Sequence, residues 1–164
     1  AAPLLLRDRI RGALLGAVVG DAFGSLLEGS GPRNADLLVQ RRAEHRGPWR
    51  HTDDGAMFIA LAETIRDCST VHPRFFLAAV SRRYEPARGF GRGMKIALQA
   101  LATGTPWPDV ARAAWPEGSR GNGGAVRVGA VALRRWVTAD DRVRAAIRAT
   151  EIRAAVARVA LPWH

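Results

Sequence analysis

Trp49-Arg50-His51-Thr52-Asp53-Asp54-Gly55-Ala56-Met57 sets a hydroxyl and two adjacent carboxylates where a loop passes into an apolar-periodic helix. Thr52 is placed to be the N-cap of that helix, with its hydroxyl or carbonyl also available to a cation. Neighbouring aspartates repel each other, and a helix N-terminus offers only about half a positive charge against them. A divalent ion bound by oxygen would complete the compensation. The same pattern also describes an ordinary capped helix start with two acids in its first turn.

Working outward, apolar residues recur at three- and four-residue spacing in nearly every segment, and no stretch alternates with period two. The pattern predicts an all-α fold. Its helices are predicted at about 6–26, 36–45, 53–68, 73–84, 94–103, 107–114, 124–137 and 140–160. Pro73 and Pro108 fall near helix starts, where a missing N–H does no harm, and Gly104 and Gly118 suit turns.

Gly12, Gly16, Gly20 and Gly24 are spaced by four and lead into Asp21 and Glu28. Such a stripe lets a second helix approach closely, and that packing role is expected of Gly12 and Gly16. Function is reserved for Glu28, with Asp21 in support. Downstream, Arg88-Gly89-Phe90-Gly91-Arg92-Gly93 and Gly118-Ser119-Arg120-Gly121-Asn122-Gly123-Gly124 are glycine-rich turns, each followed by a helical pattern. Glycine and asparagine there can simply supply unusual backbone angles. Successive N–H groups at a helix start can also form an anion nest, and two such turns near an acid cluster suit a diphosphate. Arg127 is read as a structural pairing residue.

In this order the motifs resemble the ADP-ribosylglycohydrolase family, which includes the dinitrogenase-reductase-activating glycohydrolases and the ADP-ribosyl-acceptor hydrolases. The resemblance runs from about residue 10 to about residue 133. The stretches 85–91 and 118–127 look most like its serine-directed branch. It implies a compact multi-helix orthogonal bundle and a hydrolase that removes ADP-ribose from modified protein side chains, with two magnesium or manganese ions in the complete site. Carried over by motif, Thr52, Asp53, Asp54 and Glu28 would be metal ligands, and Glu28, Asp53 and Asp54 the catalytic acids. Asp53, Gly89, Gly91, Gly93, Gly118, Ser119, Arg120, Gly121, Asn122 and Gly123 would line the substrate site. The expected partner is an ADP-ribosylated protein or an ADP-ribose-like small molecule.

The sequence also departs from the family pattern. Gly55 stands where threonine usually follows the aspartate pair, which predicts a looser helix start. Arg120 replaces an aromatic common in the serine-directed branch. A second acidic motif, Asp-x-Asp-Thr, is absent from the sequence. Residues 1–164 therefore read as one all-helical domain, the N-terminal part of an incomplete ADP-ribosylglycohydrolase domain with a divergent tail at about 150–164. Ala1 in place of methionine agrees with a fragment. One weakly held ion or none, impaired activity, and a complementing C-terminal half are the corresponding expectations.

Composition bounds the alternatives. The chain has 164 residues, 48% of them hydrophobic, enough for one core. The uncharged run 12–20 falls short of the roughly 20 residues that span a bilayer, so no membrane association is expected. A single cysteine, Cys68, permits no intrachain disulfide and fits a cytoplasmic protein. The net charge of +10 suggests nucleic acid, but the arginines are dispersed and would equally favour an anionic substrate. His51 abuts the acids, whereas His45, His72 and His164 lack metal-ligand spacing. With no Ser-His-Asp or Cys-His constellation, the sequence argues against acyl transfer. The readings competing with the hydrolase are a non-catalytic ADP-ribose-binding module and an arginine-rich helical nucleic-acid binder.

Overall fold

The computed structural model describes residues 6–29, 35–68, 71–119 and 121–138. The helix predicted at 140–160, the tail and Arg120 lie outside the described residues. Within them the protein is all-α: α1 (Leu6–Gly24), α2 (Ala35–Glu44), α3 (Asp53–Cys68), α4 (Pro73–Arg82), α5 (Arg92–Ala102), α6 (Trp107–Ala114) and α7 (Gly123–Thr138). Short 3₁₀ turns occupy Ser25–Leu27 and Pro86–Arg88. Pro73 stands in the first turn of α4, and Gly104 and Gly118 adopt φ of +85° in turns.

Helix α3 is central, packing against α1, α4 and α7. Gly55, Ala56, Met57, Phe58, Ala60, Leu61 and Thr64 are all buried, so more than one face of α3 is covered. One face joins Ala79, Val80, Phe90, Met94, Ala97, Leu98 and Val110 in the main core. Another places Phe58 and Leu61 against Ala130 of α7, with Leu14 and Val18 of α1 alongside. The alanines at 56 and 60 keep the first interface close, and the buried Thr64 hydroxyl donates to the Ala60 carbonyl at 2.8 Å. At the end of α4, Arg83 forks onto Glu63 of α3.

Among the described residues the glycine stripe of α1 meets no partner helix. A Cβ added at Gly12, Gly16, Gly20 or Gly24 would meet nothing within 4 Å, so no helix among the described residues uses that face. Helix α1 instead approaches α3 through Leu14, Val18 and Asp21, which share a different stripe. The apolar character of α1 also extends further than the uncharged run suggested. The segment Asp8–Leu27, with mean hydropathy 1.4, is long and apolar enough to cross a membrane by length and composition. Only 6% of its most apolar window is buried, so it is not covered as a core helix would be, and Asp21 ties it to α3.

Gly93, in the first turn of α5, sets its bare face against the indole of Trp115, where an added Cβ would lie 2.3 Å from Nε1. This contact joins α5 to the end of α6. Gly93→Ala should therefore force the indole out of place and cost about 1–3 kcal/mol, the usual penalty for overpacking. Urea denaturation followed by tryptophan fluorescence checks it, and wild-type stability would refute the contact.

Candidate active site

The site grows from one carboxylate. Asp21, near the end of α1, accepts hydrogen bonds from the Thr52 N–H at 2.7 Å, the Thr52 hydroxyl at 2.7 Å and the Gly55 N–H at 3.0 Å. Those donors form the N-terminus of α3, whose free N–H groups attract an anion. Thr52 is the expected N-cap: its Oγ1 accepts from the Asp54 N–H at 3.2 Å, and its carbonyl accepts from the Ala56 N–H at 3.1 Å. With Oγ1 donating to Asp21 and accepting from Asp54, one lone pair is left for any further ligand.

Gly55 corrects an expectation. Rather than loosening the helix start, it admits Asp21: an added Cβ would sit 2.5 Å from Asp21 Oδ2 and 2.8 Å from His51 Cβ.

Asp53 and Asp54 project from this capped turn, both half-buried. Burial raises the Asp53 carboxyl above its ordinary range, with the charges of Glu28 and Asp21 adding to the shift against backbone hydrogen bonds that lower it. Asp54 is raised chiefly by burial, while a hydrogen bond from Asn122 lowers it; Asp53 and Asp21 raise it and Arg127 lowers it. Glu28 follows the Ser25–Leu27 turn, exposed at the lip and within electrostatic reach of Asp53.

Two glycine turns reach the acids. Asn122 donates through Nδ2 to Asp54 Oδ2 at 2.7 Å, bringing the 118–123 stretch to the acid pair. Part of its expected N–H wall is already engaged, since the Gly118 N–H donates to the Trp115 carbonyl and the Gly121 N–H to Ser119 Oγ. Gly123 packs beside Met57. In the other turn Gly89, at φ +88°, lies so near Asp53 that a Cβ would be 3.6 Å from Oδ1. The adjacent Phe90, buried and tilted against Tyr84 at 5.1 Å, pins that turn to the core. Gly91 caps α5 with open space beside it, and Gly93 is occupied by Trp115.

Arg88 was not anticipated as a site residue. Its Nη1 donates to the His51 carbonyl at 2.8 Å and its Nη2 to Glu85 at 2.8 Å, clamping the segment that enters α3. Glu85 and Arg88 at three-residue spacing were the available signal. Arg127 is half-buried over the Phe76 ring, 4.9 Å from its centroid, and burial lowers its pKa against the charge of Asp54. That agrees with a structural pairing role.

Among the described residues, no three His, Cys, Asp or Glu side chains form a group able to hold a metal ion. The acids expected to share a metal, Glu28, Asp53 and Asp54, thus meet electrostatically without forming a ready chelate.

The chain matches the ADP-ribosylglycohydrolase family over residues 2–160. It belongs to that family. The match continues past residue 150, into the segment read as a divergent tail. The chain is similar to the ADP-ribosylhydrolase ARH3 of Danio rerio, 33% identical over 153 residues. That alignment covers 86% of this chain and 41% of the relative, so the chain spans about two-fifths of the relative's length. No solved structure matches it.

The raised pKa values carry a pH prediction. A carboxyl whose folded pKa exceeds its unfolded value binds more protons in the folded state, so its contribution to stability falls as pH rises through that interval. Asp53→Asn should therefore melt higher than the wild-type chain at pH 7 without divalent ions, and the difference should shrink near pH 4. Thermal melts at both values check this; a constant difference would show that repulsion and burial of the charge are not its source. Asp21→Ala should cost about 1–3 kcal/mol at neutral pH, because two N–H donors and the Thr52 hydroxyl lose their acceptor. Chemical denaturation measures that loss.

Proposed function

We propose that this chain forms the acid-bearing part of a metal-dependent hydrolase that removes ADP-ribose from modified protein side chains, at an N- or O-glycosidic bond. The observation that supports it best is the meeting of Asp53 and Asp54 with the Asn122 amide and the Gly89 turn at the start of α3. Adjacent carboxylates and a threonine hydroxyl are hard oxygen donors, and the burial of two like charges is the electrostatic situation that a divalent cation relieves. That chemistry fits magnesium or manganese, with Asp53, Asp54, Thr52 and Glu28 as the donor set. Such ions would supply positive charge that orients ribose hydroxyls and water.

The remaining work falls to the chain's own groups. The 118–123 and 89–91 turns hold the diphosphate, with Asn122 fixing the first turn against Asp54. Asp53 beside Gly89 orients the ribose. Glu28, exposed at the lip, handles the proton that passes from attacking water to the departing side chain as the bond at the anomeric carbon breaks. The serine-directed branch is favoured by the 85–91 and 118–127 stretches. Cytoplasmic residence is part of the same reading and is consistent with the free, half-buried thiol of Cys68.

A non-catalytic ADP-ribose-binding module is the second reading, favoured by the lack of a three-residue chelating group among the described residues. Activity separates the two. A misplacement of about 1 Å at the reacting centre can cost ~100-fold in rate. Residues 1–164 should hydrolyse ADP-ribosylated peptide far more slowly alone than with an Asp-x-Asp-Thr-bearing half supplied in cis or in trans. Asp53→Ala, Asp54→Ala or Glu28→Ala should silence the complemented enzyme while leaving far-ultraviolet circular dichroism unchanged. Magnesium-independent ADP-ribose binding with no turnover in any combination would favour the binding module. DNA affinity that falls steeply with salt, with no ADP-ribose binding, would favour the nucleic-acid reading.

A further inference from the structure

The Gly89 turn and the acids of α3 come from different parts of the chain, and one side chain ties them together. Arg88 Nη1 donates to the His51 carbonyl at 2.8 Å and lies 3.2 Å from each ring nitrogen of His51. Its Nη2 donates to Glu85 Oε1 at 2.8 Å, while the Arg88 N–H donates to the Glu85 carbonyl at 3.0 Å. His51 stands two residues before Asp53, and Gly89 directly follows Arg88. The guanidinium thus holds both sides of the gap across which Gly89 faces Asp53 Oδ1.

Stability alone does not account for this arrangement. Glu85 is 51% exposed, and an ion pair so open to water contributes little. The Arg88 side chain is only 17% exposed, so it gives up most of its hydration to reach a backbone carbonyl. A planar fork fixes the directions of its donors, which the flexible ammonium of a lysine does not. Pro86 fixes φ at the start of the turn that carries Arg88. Phe90 pins that turn to the core on one side of Gly89, and Arg88 joins it to the approach to α3 on the other.

We propose that Arg88 is a positioning residue that sets the width of the gap between Gly89 and Asp53, and through it the affinity of the site for a ligand with a terminal ribose on its diphosphate. The inference rests on the reading that Asp53 beside Gly89 orients the ribose of ADP-ribose. Groups in such a site work only when held within about 0.5 Å of their productive place, and a fork bonded to both walls provides that constraint. The diphosphate depends on it less, because the 118–123 turn reaches Asp54 through Asn122 without using Arg88.

Calorimetry on the 164-residue chain with magnesium, using ADP-ribose and ADP as separate ligands, tests the proposal. Arg88→Ala should weaken ADP-ribose by about tenfold or more and ADP by no more than about threefold, shifting the ratio of the two affinities against ADP-ribose. Arg88→Lys, which keeps the charge and loses the fork, should do the same. Arg112→Ala, which removes an exposed ion pair of the same spacing on α6, should change neither affinity. In the ligand-free chain, hydrogen exchange in peptides covering 50–55 and 84–91 should speed together by roughly threefold or more in both Arg88 variants, with 96–102 unchanged. Should Arg88→Ala fail to fold, Glu85→Ala releases one arm of the clamp alone. Its loss of ADP-ribose affinity, about threefold, should vanish in the Arg88→Lys background. Full ADP-ribose affinity in Arg88→Lys, equal losses for the two ligands, or unchanged exchange in 50–55 and 84–91 would each overturn the positioning role while leaving the functional reading intact. A wild-type chain that binds neither ligand would overturn that reading, and the positioning role with it.

Discussion

The hydrogen bonding of Asp21 to the start of α3 is the constraint on which the rest of the site depends. A single carboxylate takes two backbone N–H groups and the cap hydroxyl, satisfying donors that the helix cannot satisfy itself. Together with Leu14 and Val18 it anchors a largely exposed α1 to the central helix, and it sets the rotation of Thr52. That rotation directs Asp53 and Asp54 towards the glycine turns. Gly55 is part of the same contact, since any side chain there would collide with the Asp21 carboxylate.

This arrangement stabilises the backbone and strains the electrostatics. Asp21 satisfies the helix start but also brings a third negative charge near Asp53 and Asp54, already disfavoured as anions by burial. Arg127 and Asn122 offset part of this at Asp54. Keeping such charges close works against the stability of the fold, a recurrent compromise at functional sites. Arg88 contributes by clamping the His51 carbonyl and Glu85, so the approach to α3 is fixed from the opposite side.

Much of this was legible in the sequence where the physics is local. Period and capping residues located α3, its Thr52 cap and its acidic first turn, and proline and glycine positions located helix starts and turns. Glycines were harder to interpret. The α1 stripe permits a close approach, but among the described residues α1 packs through Leu14 and Val18 instead. Gly93 has the appearance of a ligand loop in sequence and is filled by Trp115 in space. Gly55 looked like a weakness and proved to be the clearance for Asp21.

By itself the sequence determined an all-helical chain of the ADP-ribosylglycohydrolase family with its acids at the head of one helix, because hydrophobic period, capping chemistry and motif order are properties of neighbouring residues. Only the tertiary structure decided which groups those acids meet. Asp21 reaches Thr52 across 31 residues and Asn122 reaches Asp54 across 68. Among the described residues it likewise leaves one apolar side of α1, α3 and α7 open. Such pairings are set by how helices pack on a shared core, and the burial they create raises the Asp53 and Asp54 carboxyls above their ordinary range, which no local pattern encodes.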